Sequence, residues 1–318
     1  NSREFFHKLP LAVILPWHSK IVLPLKYNLF RFSQTFRNMQ PKLLKRNISQ
    51  IYLTLIPFLT FAIALSFGHS NYKIYVPFGI LNAILMVIAC WILGANVIRK
   101  QDAEKKQLII IASCLIIPWI LLSILSGIGP PPFDKPSEYV ATATEQQVRY
   151  SFLLVGGVFI AFGFALLREA LKKTGEVFYS WPGLIAIMIA IPLFIFNMAY
   201  YDSFILETFR IRVASASDKM PEWFAPIKSQ MIIIMAVEVA LTYLATAAFA
   251  ASLKSATWFK KTATHIYIII SILCFISAVL VIFAPEPIAS ACSIVCVPAF
   301  PFIMPYIMGI NLLRRAGN

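Results

Sequence analysis

Long apolar runs recur along the chain and alternate with shorter polar segments. About 20 apolar residues are enough for one α-helix to cross a bilayer. The pattern therefore predicts an all-α integral membrane protein, a bundle of about eight transmembrane helices. We place these spans at residues 49–67, 74–98, 108–126, 150–168, 182–201, 229–252, 263–284 and 288–312.

Composition supports this class. The 318 residues are 59% hydrophobic and 13% charged, with a mean hydropathy of +0.76, which lies outside the range of soluble domains. The five cysteines all lie in or beside apolar runs, which indicates buried thiols rather than a disulfide framework. The first 16 residues contain an apolar run of only about eight residues without a small-residue cleavage site, so no cleavable signal peptide is expected there.

The net charge of +14 is unevenly distributed. Basic residues precede the first span and follow the second, fourth, sixth and eighth. Placing these segments on one side collects 21 of the 28 Lys and Arg there. The positive-inside rule then puts both termini in the cytoplasm, which requires an even number of spans. The charge excess is thus a topology signal rather than a sign of nucleic-acid binding, and we expect a bacterial inner (plasma) membrane.

Residues 1–48 form a separate region before the first span. They hold nine basic residues interleaved with aromatic ones, and Pro10, Pro16 and Pro24 cut them into pieces too short to span. Basic, aromatic segments of this kind lie on anionic membrane surfaces. We predict a cytoplasmic, interfacial arm that contacts anionic lipid headgroups, followed by a transmembrane domain over residues 49–318. Docking of the arm to a partner is the alternative.

Two outer loops, residues 127–149 and 202–228, are long enough to form a lid or to meet protein partners. The first contains three consecutive prolines, which favour an extended backbone. The second has apolar positions and a Glu207–Arg210 pair at helical spacing, which predict an interfacial helix.

Glu238 in the sixth span is the one acidic residue that we place at membrane depth. An ionised acid there costs about 3 kcal/mol on insertion scales, so such residues are functional hypotheses by default. Thr242 follows at i+4, on the same helix face. We interpret Glu238 and Thr242 as part of a proton, cation or polar-ligand site. The alternative is a protonated carboxyl that hydrogen-bonds a neighbouring helix.

The end of the fifth span supplies further candidates. Asn197 lies inside the span, and Tyr201 and Asp202 lie at its outer boundary. We predict that these three line the outer mouth of a cavity leading to Glu238. The alternative for the tyrosine is the aromatic belt at the membrane interface.

The eighth span contains Pro298, Pro301 and Pro305, each of which removes a backbone donor. Broken spans are tolerated where the freed carbonyls face protein or water, so this span is the candidate for a discontinuous helix. A kink that affects packing alone is the alternative. Cys292 and Cys296 without histidine neighbours are weak evidence for a metal, and no metal site is predicted.

These features favour a transporter or channel-like protein for a small solute or ion, which uses Glu238. A structural or accessory subunit of a larger membrane complex, or a sensor, is the alternative, because no second buried charge or internal repeat is visible. No catalytic or nucleotide-binding motif is present, so an enzyme is not expected and no cofactor is predicted.

Overall fold

The computed structural model describes residues 41–67, 72–98, 102–125, 135–215 and 220–317, and these are helical without any strand. The predicted arm lies outside the described residues except for its last eight, which begin the first helix. The α-helices in chain order are α1 (Pro41–Phe67), α2 (Tyr72–Ile98), α3 (Ala103–Ile124), α4 (Pro136–Ala141), α5 (Ala143–Lys172), α6 (Ser180–Ala199), α7 (Leu206–Ala214), α8 (Phe224–Ser255), α9 (Lys261–Phe283), α10 (Ile288–Cys292) and α11 (Ile303–Gly317).

Six helices within the described residues are long and apolar enough to cross a membrane. They are α2, α3, α5, α8, α9 and the continuous helix Ser180–Ala214, and a seventh is added if the bent pair formed by 288–296 and 300–317 counts as one span. The membrane class is therefore supported. The predicted first span coincides with α1, which is not among these six, so eight spans remain a prediction.

The helix that contains the predicted fifth span continues past the end predicted for that span. Instead of leaving the helix at residue 201, the chain continues through a π-helical segment, Tyr200–Ile205, into α7. The wider π turn absorbs an extra residue without breaking the helix. The Glu207–Arg210 pair does form, with Arg210 Nη1 3.4 Å from Glu207 Oε2.

The helices form an interlocked bundle. α8 packs on α6 and α9, α5 packs on α3 and α6, and α11 packs on α2 and α3. Most of α11 is buried, and its Tyr306 hydroxyl donates a hydrogen bond to the Leu53 carbonyl in α1 at 2.9 Å. The last helix is therefore an internal element of the bundle.

The described parts of the two segments predicted as outer loops contact each other. α4, from the first loop, packs on α7, from the second, and the rings of Tyr139 and Phe209 meet edge to face at 4.9 Å. Phe224 at the start of α8 joins the same apolar cluster. We call α4 and α7 together the cap. Burial raises the pKa of Tyr139, and the neighbouring Tyr150 raises it further.

The opposite end of the bundle gathers the basic helix ends. Lys173 after α5 donates to Gln107 in α3 at 2.8 Å, and Arg315 in α11 donates to the Trp258 carbonyl between α8 and α9 at 3.2 Å. α3 begins here with Asp102 as its N-cap, whose carboxylate accepts from the Lys105 backbone N–H at 3.1 Å. We call this the basic end.

Candidate functional site

Glu238 and Asn197 meet in the core of the bundle. Asn197 Nδ2 donates a hydrogen bond to Glu238 Oε1 at 3.2 Å, and the two residues are 1% and 2% exposed, respectively. The chain thus provides the buried carboxyl of α8 with a polar partner from α6.

The burial pattern of each helix explains this contact. In α6 the buried positions include Gly183, Ala186, Ala190 and Asn197, which recur every three to seven residues on one helix face. Small side chains on this stripe let α8 approach closely. Asn197 therefore extends an apolar packing face and is directed at α8 rather than at lipid.

Two oxygen atoms of this pair have no hydrogen-bond partner among the described residues: Glu238 Oε2 and Asn197 Oδ1. A buried polar atom left unpaired costs about 1 to 3 kcal/mol. An amide oxygen is an acceptor only, and a carboxylate oxygen accepts when it is ionised. The pair therefore presents oxygen ligands that lack a donor.

Thr242 lies where the spacing predicts, one turn after Glu238, and is also buried. Its hydroxyl donates to the Glu238 backbone carbonyl at 2.9 Å, and Thr246 repeats the pattern by donating to the Thr242 carbonyl at 2.9 Å. Such bonds to the preceding turn satisfy the hydroxyl hydrogen and bend helices slightly. Thr242 can then offer only its oxygen as an acceptor.

Tyr201 lies in the π segment, close enough to Glu238 to interact with it electrostatically. Its ring stacks on Tyr150 of α5, with centroids 5.6 Å apart. Asp202 is only partly buried, and none of the contacts found among the described residues joins it to Glu238. The structure thus brings Asn197 and Tyr201 to the carboxyl and leaves Asp202 apart.

The segment before α11 is discontinuous. A 3₁₀ turn, Ser293–Cys296, precedes the break and a second, Phe300–Phe302, follows it, with a bend of 54° between the two parts. Pro298 lies in the break, and Pro301 lies within the second turn. Pro305 lies in the first turn of α11, a position that tolerates proline because its N–H would be unpaired there anyway.

The discontinuity lies beside the carboxyl. Cys296 is within electrostatic range of Glu238, and the Tyr243 hydroxyl of α8 donates to the Val295 carbonyl at 3.4 Å. A break in a helix leaves backbone carbonyls without their intrahelical donors, and the Tyr243 hydroxyl pairs with a carbonyl of this kind. Glu238 therefore interacts electrostatically with one residue of the π segment, Tyr201, and with one residue of the broken segment, Cys296.

Sequence reasoning missed Tyr150, Tyr243 and Cys296 as neighbours of this site. Tyr243 had a usable signal, since a tyrosine far from both ends of a span is not explained by the aromatic belt. No sequence signal pointed to Tyr150 or Cys296, because their proximity to the site depends on how α5 and the broken segment pack.

The described residues contain no group of three or more His, Cys, Asp or Glu side chains that could hold a metal ion. Comparison of the chain with protein-family models, curated proteins and solved structures gives no match.

Proposed function

We propose that the protein transports a proton or a small monovalent cation across the membrane, with Glu238 as the group that binds it. The observation that carries this proposal is the buried Glu238–Asn197 pair, whose two remaining oxygens have no donor among the described residues. A proton on Oε2, or a cation between the two oxygens, satisfies them.

The chemistry of the neighbours favours a small cationic ligand over an anion. The polar groups that interact with the carboxyl are the Asn197 amide, which is hydrogen-bonded to it, and the Tyr201 hydroxyl and Cys296 thiol, which interact with it electrostatically. Oxygen ligands suit hard cations and protons. An anion here would face a carboxylate without a basic side chain to offset it, because the basic residues collect at the helix ends.

Two irregular helices flank the carboxyl, which suits a binding site that must open. π turns and broken spans concentrate at functional sites, since they free backbone groups and permit local rearrangement. Tyr201 of the π segment Tyr200–Ile205 and Cys296, which ends the turn before the break, both interact electrostatically with Glu238.

A column of aromatic hydroxyls offers a route from the cap to the carboxyl. Tyr139 of the cap lies beside Tyr150, which stacks on Tyr201, which is in turn close to Glu238. In this proposal the basic end faces the cytoplasm, in keeping with the positive-inside rule, and the cap covers the outer approach.

The test is a flux assay on protein reconstituted in liposomes, comparing the native chain with Glu238→Gln. Glutamine keeps the shape and an oxygen that can accept from Asn197, but it cannot ionise. We expect the proton or monovalent-cation flux of the variant to be at least about tenfold lower than that of the native chain, since an obligatory proton-binding group has been removed.

Glu176→Gln is the matched control. Glu176 is also a buried glutamate, but it lies between α5 and α6, where Oε1 accepts from the Tyr179 backbone N–H at 2.8 Å. The control should retain native flux. Equal flux in the native and Glu238→Gln proteins would refute the proposal, and so would the absence of any flux from well-folded native protein.

The accessory-subunit alternative predicts a different outcome. In that case the native chain carries no flux when reconstituted alone, and it co-purifies with partner chains at fixed stoichiometry. The cap, which presents α4 and α7 at the surface of the bundle, is the part of the described chain that favours such a partner.

A further inference from the structure

A large cleft lies at the basic end of the bundle, remote from Glu238. Its volume is about 940 Å³, and it is formed by the end of α8, the start of α9 and the end of α11. The cleft borders two helices that are long and apolar enough to span the membrane. It therefore lies near the level of the lipid headgroups.

The charge of the cleft is of one sign. Lys254, Lys260, Lys261 and Arg315 line it, and the described residues contribute no carboxylate to the lining. No ion pair joins these four to a carboxylate within the described part of the chain. Lys254 Nζ lies 3.2 Å from His265 Nε2, so its nearest side-chain partner is not an acid. The lining of the cleft is thus cationic, while Lys260 and Arg315 also line an adjoining pocket that Asp102 and Glu104 border.

The cleft also has an apolar wall. Ala251 and Ile268, from α8 and α9, belong to its lining together with aromatic side chains. Cationic groups at the rim and apolar groups along membrane-spanning helices match a molecule that carries a phosphate at one end and a hydrocarbon chain at the other.

The loop that shapes the cleft is held in place by several bonds. Trp258 N donates to the Leu253 carbonyl at 2.9 Å, and Phe259 N donates to the same oxygen at 3.2 Å. The Arg315 guanidinium lies over the Trp258 ring, 5.3 Å from its centroid, and also donates to the Trp258 carbonyl. The backbone that carries Lys260 and Lys261 and the Arg315 guanidinium are therefore held in place before a ligand binds, which lowers the entropy cost of binding.

We propose that this cleft binds the phosphate headgroup of an anionic phospholipid, with Lys260 and Lys261 as its principal cationic contacts. The acyl chains lie along Ala251 and Ile268. This site is separate from the predicted lipid contacts of residues 1–48 and does not depend on the transport proposal.

The test is thermal stabilisation of the full-length chain in mixed micelles with phosphatidylglycerol, with phosphatidylcholine, or with inorganic phosphate at the same concentration. We expect phosphatidylglycerol to stabilise the native chain more than the other two do. Lys260→Gln with Lys261→Gln should weaken its apparent affinity about 25-fold, since a basic residue near an anionic surface contributes about fivefold.

Lys172→Gln with Lys173→Gln is the matched control. It removes two cations from the same end of the bundle but outside the cleft, at the cost of one exposed hydrogen bond to Gln107, and it should keep native affinity. Equal losses in both double variants would overturn the proposal in favour of diffuse attraction. Equal stabilisation by inorganic phosphate would overturn the lipid assignment in favour of a soluble anion. Size-exclusion profiles confirm that each variant is folded.

Discussion

Replacing Asn197 and Glu238 with leucine, singly and together, tests whether the two side chains act as one unit. Each single change leaves the other polar group buried without its hydrogen bond. The double change leaves an apolar contact of similar volume between α6 and α8. The two single changes should therefore be costly, and the double change should not.

The magnitude follows from the geometry. The Nδ2–Oε1 bond is 3.2 Å long between two residues that are almost completely buried. Stranding a buried polar group costs about 1 to 3 kcal/mol, but coupling energies measured for hydrogen-bonded pairs in membrane proteins average about 0.6 and reach about 1.7 kcal/mol, because the unfolded chain stays in the membrane and finds other partners there. We therefore expect each of Asn197→Leu and Glu238→Leu to lower the free energy of unfolding by about 1 kcal/mol, and the double variant by about 0.5 kcal/mol.

The assay is reversible unfolding in mixed micelles with increasing denaturing detergent, followed by circular dichroism, for the native chain and the three variants. The coupling energy should be about 1.5 kcal/mol. Additive effects, within the error of about 0.5 kcal/mol that is typical of independent sites, would refute the contact between the two side chains. Ser271→Ala paired with Asn197→Leu provides the control, because Ser271 has no described contact with Asn197 and should show additivity.

Two further predictions concern the backbone. Gly79→Ala should destabilise the protein by about 3 kcal/mol, since the added Cβ would lie 2.3 Å from the Ile124 carbonyl oxygen and would force α2 away from α3. Gly94→Ala in the same helix is the control and should cost less than about 1 kcal/mol, because its Cβ meets the movable end of the Leu313 side chain at 3.0 Å. Equal losses of thermal stability in the Gly79 and Gly94 variants would contradict this packing. Thr257→Gly should raise the free energy of unfolding by about 0.5 to 1 kcal/mol, because this β-branched residue has a φ of 57°; a loss of stability would show that the threonine side chain matters more than the strained backbone.

Some features of the candidate site can be predicted from the local sequence pattern alone. Thr242 could be placed relative to Glu238 from spacing alone, because residues four apart share a helix face. The three prolines similarly indicated an irregular eighth span, since each lacks a backbone donor. Pro305 differs from the other two prolines, because it lies within the first turn of α11, where a proline costs little. Its effect therefore depends on its position relative to the helix start.

The sequence by itself determined the membrane class, the approximate extents of most of the helices and the place of Glu238 within a long apolar helix. These properties depend on the length of apolar runs and on helical periodicity, which are local. The tertiary structure decided that Asn197 pairs with Glu238 across 41 residues of chain, that α4 and α7 join as a cap, and that the basic ends of α8, α9 and α11 form one cleft. These contacts depend on how far each helix is rotated and tilted against its neighbours, and no local pattern specifies that.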